Sequence, residues 1–268
     1  MNEKNPDARS SARERLQAQR EKERSRDRRG RQLKAAGAVA AVLVVAGGIA
    51  LWVVSAQDDD GSAKTVAVPK GTEGGDKPVV PVGDGNAPST LVVWEDFRCP
   101  ACAQFENGFR DTVRELEDAG RLKTEYHLVT IIDANMNGKG SVTAGNAALC
   151  AQDAGKFRDY HDVLYRNQPP ETQDRFADKK YLIQLAKKVD GLVTDRFTQC
   201  VEKGTYDGFV EKSNDAFAGS GFRGTPTILL NGKNLAEVDG GRVTPDKFKK
   251  MVEDTGQGKN PGRGASPT

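Results

Sequence analysis

Histidine is almost absent from this chain of 268 residues, which carries only His127 and His161. Methionine (three), tryptophan (two) and cysteine (four) are scarce as well. With His127 in a strand-like run and His161 on an amphipathic helix, both read as packed or half-exposed side chains rather than bases or ligands, and no Ser-His-Asp arrangement is legible. There is no P-loop and no dinucleotide fingerprint, the glycines Gly138 and Gly140 reading as part of a loop. No internal repeat is present. These absences remove nucleotide-dependent enzymes, histidine-driven hydrolases and any cofactor with a recognisable binding motif, and they leave the cysteines to carry the chemistry.

Charge of one sign is missing from one long stretch and concentrated in another. Residues 1–34 hold twelve Lys or Arg against six acids, so the net charge of +2 hides a basic amino-terminal segment before a mildly acidic remainder. Residues 35–56 are uncharged and rich in Ala, Val, Leu, Ile and Gly. As a helix those positions reach roughly 33 Å, enough for a hydrocarbon core of about 30 Å. The basic flank before it and Asp58-Asp59-Asp60 after it predict a single-pass signal anchor, with the amino terminus cytoplasmic and the rest outside. The alternative is a secreted protein released by cleavage near Val54-Ser55-Ala56. The interleaved glutamates and the neighbouring span favour a solvated or lipid-facing basic segment over a nucleic-acid arm, so no nucleic-acid partner is expected.

Residues 57–89, dominated by Gly, Asp, Pro, Lys and small side chains, read as an extracytoplasmic linker with an edge strand near its end, and residues 256–268 as a disordered tail. The domain predicted between them, 90–255, begins with the apolar strand Leu91-Val92-Val93-Trp94 and a helix with apolar residues at Ala103, Phe105, Phe109, Val113 and Leu116. A second strand is expected over about 123–131, giving a right-handed βαβ crossover. A helical insertion follows at about 138–222, with helices predicted over 141–152, 156–166, 178–189, 194–202 and 206–218. The chain then returns to strand at Thr227 to Leu230, turns at Asn231-Gly232, resumes at Leu235 to Val238, and closes with a helix capped by Thr244 and begun by Pro245.

Between the first strand and its helix stands Cys99-Pro100-Ala101-Cys102. A sulfur at a helix N-terminus meets unpaired N–H groups and the positive end of the helix dipole, which favour a thiolate. Cys99 is therefore the expected nucleophile, and Cys102, one turn on, the partner that closes or resolves its disulfide; Arg98 adds a neighbouring positive charge. Four cysteines outside the membrane are expected to be oxidised, in one of three pairings. The motif favours Cys99 with Cys102 and leaves Cys150 and Cys200, a structural bridge whose loop of about 50 residues is worth about 4 kcal/mol. A zinc site built from all four is the alternative; Cys150 and Cys200 are isolated singles rather than a close pair, so no metal is expected.

The order of elements, Trp94 through Cys102, the stretch from Tyr160-His161 to Gln168-Pro169, and Gly224-Thr225-Pro226-Thr227 resemble the thioredoxin fold with a helical insertion, and more narrowly the DsbA-like thiol-disulfide oxidoreductases in their membrane-anchored actinobacterial form. The resemblance implies a cis peptide before Pro226, with Thr225 and Pro226 offering a backbone edge to an extended substrate, and a second bridge at Cys150 and Cys200. It also implies reduced secreted proteins as substrates and a quinone-linked membrane oxidase, of the DsbB or vitamin K epoxide reductase type, as the partner that restores the disulfide. Many relatives place a buried acid six residues before the first cysteine, where this chain has Val93; Glu95 and Asp96 are read here as a polar strand end or loop. A reductase or disulfide isomerase of the same fold is the alternative activity, because Pro-Ala between the cysteines suits more than one potential. A non-enzymatic anchored module holding peptides beside Pro226 is the other, and the intact CxxC argues against it. By the resemblance, the helical insertion favours the oxidase.

Overall fold

The structure is a computed structural model that describes residues 66–256 apart from 74 and 77. The basic segment, the anchor expected at 35–56 and the tail beyond 256 lie outside the described residues. Among the described residues no helix is long and apolar enough to cross a membrane.

Five strands form one sheet in the order β1-β3-β2-β4-β5: β1 Val80–Gly83, β2 Ser89–Glu95, β3 Leu122–Leu128, β4 Thr227–Leu230 and β5 Lys233–Asn234. Only β2 and β3 run parallel, joined by helix α1 (Pro100–Asp118), and the other pairs are antiparallel. This is the α/β thioredoxin fold. Because side chains alternate along a strand, β2 supplies both faces: Leu91 and Val93 enter the main core, whereas Val92 and Trp94 join a second cluster with Val129 and Phe217. By the same alternation Glu95 falls on the main-core side.

Between β3 and β4 the chain is helical: α2 Ile131–Met136, α3 Gly140–Asp153, α4 Phe157–Arg166, α5 Lys179–Ala186, α6 Asp195–Lys203 and α7 Asp207–Ala218. Asp178 and Thr194 cap α5 and α6 by accepting the N–H groups of Lys180 and Phe197, and Gly204 ends α6 with φ 64°. Helix α3 is buried on nearly every side and composed mostly of small residues, so its neighbours approach closely. Helix α8 (Pro245–Gly256) follows Thr244, whose hydroxyl accepts the Lys247 N–H, and packs Phe248 and Val252 toward α1 and β2.

Four expectations need correction. β3 ends at Leu128 and the helical block begins at Ile131 rather than near 138. The β-branched Ile131-Ile132 pair reads as strand, but the Asp96 carboxylate accepts the Ile132 N–H at 2.9 Å and starts a helix there. The segment 235–238 is not a strand: Asn231 (φ 51°) and Gly232 (φ 82°) make the expected tight turn, yet after two paired residues Asn234 Oδ1 accepts the Ala236 N–H and the chain enters a 3₁₀ turn, Leu235–Glu237. The domain starts before residue 90, since Val79 and Val80 are buried in it and β1 pairs along β3. Part of the expected linker also lies on the insertion, where Lys70 donates its N–H to Asp153 and accepts from Gln152.

At Gly145 α3 has no room for a side chain: a Cβ there would meet Val210 Cγ2 of α7 at 2.9 Å. Gly145→Ala is therefore expected to destabilise the protein by about 1–3 kcal/mol in urea unfolding, although alanine is the better helix former. An unchanged or raised midpoint would show that the two helices separate freely.

Candidate active site

Helix α1 begins where β2 runs out. Cys99 is its N-cap with extended backbone (φ −75°, ψ 119°), and Pro100 occupies the first helical position, where a missing N–H costs nothing. The Asp96 carbonyl accepts the Cys99 N–H at 2.9 Å, making a tight turn that aims the cysteine across the end of the helix. Cys99 Sγ lies 3.3 Å from the carbonyl oxygen of Thr225, which precedes Pro226 through a cis peptide bond. The tetrad and the Thr-Pro pair, 126 residues apart, thus meet at one point. Pro100 and Ala101 are exposed, whereas Cys102 is fully buried.

The two thiols of this pair are in opposite environments. A hydrogen bond from the Cys102 thiol, and further ones from the Thr225 side chain and the backbone N–H groups of Cys102 and Ala101, outweigh burial and bring the Cys99 pKa down to about 6. Burial, reinforced by the charge of Cys99 and of Glu95, pushes the Cys102 thiol far up. Cys150 and Cys200, by contrast, are joined by a disulfide (Cα to Cα 5.9 Å) that ties α3 to α6 within the insertion.

Beneath the pair lies a buried polar group that the sequence reading placed elsewhere. Glu95 and Asp96 are completely buried, not a polar strand end or loop. The Glu95 carboxylate bonds His161 Nε2 of α4 at 2.7 Å, and His161 is buried and ion-paired rather than merely packed. Burial alone would lower the histidine pKa; Glu95 and Asp162 outweigh it and raise it well above the usual value. Glu106, on the same stripe of α1 as Cys102, is pushed well above the usual carboxylate range by burial and by Glu95. Burial also raises Asp96 to about 7, against hydrogen bonds from Ser141 and from the Ile132 and Arg98 N–H groups. Among the described residues, Glu95, Glu106 and His161 are the one set of three potential metal ligands, with donor atoms within 4.8 Å of one another. The 2.7 Å separation of His161 and Glu95 is that of a shared hydrogen and leaves no room for an ion between them.

Arg98 is also placed differently from expectation. It is only 3% exposed and its guanidinium is taken by Asp133 (2.7 Å) and Asp174 (2.8 Å), so its charge is paired within the insertion. His127 stacks on Trp94, with ring centroids 3.9 Å apart, and its Nδ1 is 2.9 Å from the Pro78 carbonyl. Glu106, Asp133, Gln168 and Asp174 were missed from sequence. Gln168 entered only as part of the stretch that carries the resemblance, and Glu106 left a signal of its own, standing four residues after Cys102 on the buried face of an otherwise amphipathic helix. Beside Pro226 runs an apolar groove of about 230 Å³, lined among others by Phe105, Phe109, Ile228, Leu235 and Val243.

Residues 76–254 match the family model described as Thioredoxin. Disulfide bond formation protein D of Bacillus subtilis (strain 168) is 29% identical over 175 residues, covering 63% of this chain and 76% of that protein. Among solved structures, reduced DsbA from Mycobacterium tuberculosis superposes with a TM-score of 0.57 at 29% identity, covering 69% of this chain and 95% of that one. Oxidised BdbD from Bacillus subtilis gives a TM-score of 0.55 at 27% identity, covering 72% and 99% respectively.

Reaction of the reduced protein with iodoacetamide is expected to modify Cys99 alone, with a rate that titrates near pH 6 rather than near the free-thiol value of about 8.5. Because the folded pKa is depressed, the fold of the reduced form gains stability as pH rises from about 6 toward about 8.5 and loses it as pH falls through 6; the oxidised form lacks this dependence. A midpoint above pH 8 would contradict the assignment.

Proposed function

Since the chain belongs to the thioredoxin family, among its DsbA-like thiol-disulfide oxidoreductases, we propose that it works as an oxidase, donating the Cys99-Cys102 disulfide to reduced secreted and cell-envelope proteins. A substrate thiolate attacks Cys99 Sγ; the Cys99–Cys102 bond breaks, a mixed disulfide forms, and Cys102 leaves and takes up a proton. A second substrate thiolate then attacks the substrate sulfur of the mixed disulfide and expels Cys99 as a thiolate. The substrate has lost two electrons and the enzyme pair has gained them. Glu106, held toward its protonated form by burial and by Glu95 and one turn along the helix from Cys102, is the proton donor to Cys102, and His161 favours the carboxylate that this leaves on Glu106.

The observation that carries this reading is the asymmetry of the thiols. A Cys99 thiolate with a pKa of about 6 is a good leaving group and stabilises the reduced enzyme, and both effects drive disulfide donation. The Thr225 and Pro226 backbone edge with the adjoining groove suits an extended substrate segment. The uncharged segment 35–56 between a basic and an acidic flank supports an extracytoplasmic, membrane-anchored enzyme. A quinone-linked membrane oxidase of the DsbB or vitamin K epoxide reductase type then returns the electrons, and the protein itself needs no bound cofactor.

Oxidation of a reduced dithiol peptide by the oxidised full-length protein is expected to vanish in Cys99→Ser and to slow about tenfold or more in Glu106→Gln at neutral pH. Activity retained by Cys99→Ser would remove Cys99 as the nucleophile, and an unaltered Glu106→Gln rate would remove the glutamate from the proton path.

A further inference from the structure

The segment that delivers Cys99 to the helix end is gripped from outside the thioredoxin core. Arg98 donates from Nη1 to Asp133 Oδ1 (2.7 Å), pairs with Asp174 Oδ1 (2.8 Å), and donates from Nη2 to the Glu171 carbonyl (3.1 Å). The same two aspartates hold the start of α3. Asp133 accepts the N–H groups of Ser141 (2.9 Å) and Val142 (3.0 Å), and Asp174 those of Lys139 and Gly140 (both 2.9 Å). The N–H groups that a helix leaves unpaired are thus met by two carboxylates, whose charge Arg98 balances in turn. Space for the arrangement comes from missing side chains: a Cβ at Gly138 would lie 2.0 Å from Arg98 Nη1, and one at Gly140 would lie 2.4 Å from Asp174 Oδ1. A second grip comes from beyond α4, where Gln168 Nε2 donates to the carbonyls of Phe97 (2.8 Å) and Cys99 (3.0 Å).

We propose that Arg98 and Gln168 are positioning residues for thiol exchange, through which the helical insertion holds Cys99 across the N-terminus of α1 and against Thr225. Residues 97–99 lie between strand and helix; Asp96 takes the Arg98 and Cys99 N–H groups and the Cys99 carbonyl takes the Ala103 N–H, and the rest of their path is set by Gln168 on the Phe97 and Cys99 carbonyls and by where the Arg98 side chain is anchored. Released from those ties, the segment relaxes away from the helix end and Cys99 loses part of the hydrogen bonding that favours its thiolate. The insertion thereby sets the reactivity of a cysteine to which it contributes no catalytic atom. This inference rests on Cys99 being the nucleophile, and the two fail separately: the nucleophile is tested by Cys99→Ser, the clamp by variants that keep both thiols.

The test is the pH profile of Cys99 alkylation in full-length Gln168→Met, Arg98→Lys and Asp174→Asn, each checked for native circular dichroism. Gln168→Met keeps the volume and removes both donors; Arg98→Lys keeps the charge and loses the fork that spans two carboxylates. The expected result is a rise of the alkylation midpoint by about half a pH unit or more in each variant, which is roughly a threefold fall in thiolate fraction below the midpoint. Unfolding of Arg98→Lys leaves the decision to Gln168→Met and Asp174→Asn. Lower stability with an unmoved midpoint would overturn the proposal, because a scaffold role alone changes stability and leaves the thiol chemistry untouched. A midpoint that moves in Asp174→Asn but stays put in Gln168→Met and in folded Arg98→Lys would also overturn it, since a through-space charge would then suffice.

Discussion

The chemistry of this protein depends on the hydrogen bonding available to one sulfur at the end of one helix. Helix α1 has to begin somewhere, and its first N–H groups have no carbonyl within the helix to meet. Placing Cys99 at the cap turns that structural deficit into a site that favours negative sulfur, and the Cys102 thiol adds a donor from within the same turn. Cys102, three residues on, is sealed in the core and pays the full cost of burial if it ionises. One turn of helix therefore separates a good leaving group from a poor one.

Keeping that asymmetry requires polar groups in the interior, which is expensive unless they are paired. The protein meets the requirement with side chains from distant elements. Glu95 at the end of β2 pairs with His161 of the insertion, and Asp96 is held by the N–H groups of Arg98 and Ile132. Asp162 is drawn below its usual pKa, burial being outweighed by His161, Arg114 and Arg110. The insertion is thus more than a cover. It supplies the cation that makes a buried glutamate tolerable beneath Cys102, and its first long helix, α3, is tied at one end to the segment before Cys99 and, through Cys150, to α6.

Much of this was legible in the sequence. The strand before the CxxC tetrad announces itself by an apolar run, and five of the insertion helices can be placed to within a few residues because Asp178, Thr194 and Gly204 are ordinary caps and the apolar spacing is regular. The short α2 was invisible because its capping carboxylate, Asp96, comes from a part of the chain 36 residues away. The end of the last strand at Asn234 was local but equally hidden, resting on one bond that the Asn234 side chain accepts from the Ala236 N–H. At the site, the cysteines and the Thr-Pro pair stand out as motifs. Charged residues such as Glu95, Asp96 and Arg98 read by default as surface, and only the fold brings His161, Ile132, Asp133 and Asp174 up to meet them. Ion pairs between elements leave no periodicity in a sequence; helical and strand faces do.

The most direct test is the reduction potential of the Cys99-Cys102 pair in the full-length protein, equilibrated in glutathione buffers, trapped by alkylation and assigned by mass spectrometry. A Cys99 thiolate stabilised as described predicts a strongly oxidising pair near about −120 mV, with Cys150-Cys200 still closed. A value near about −270 mV would mean that the stabilised thiolate does not drive disulfide donation, and would make the protein a reductase.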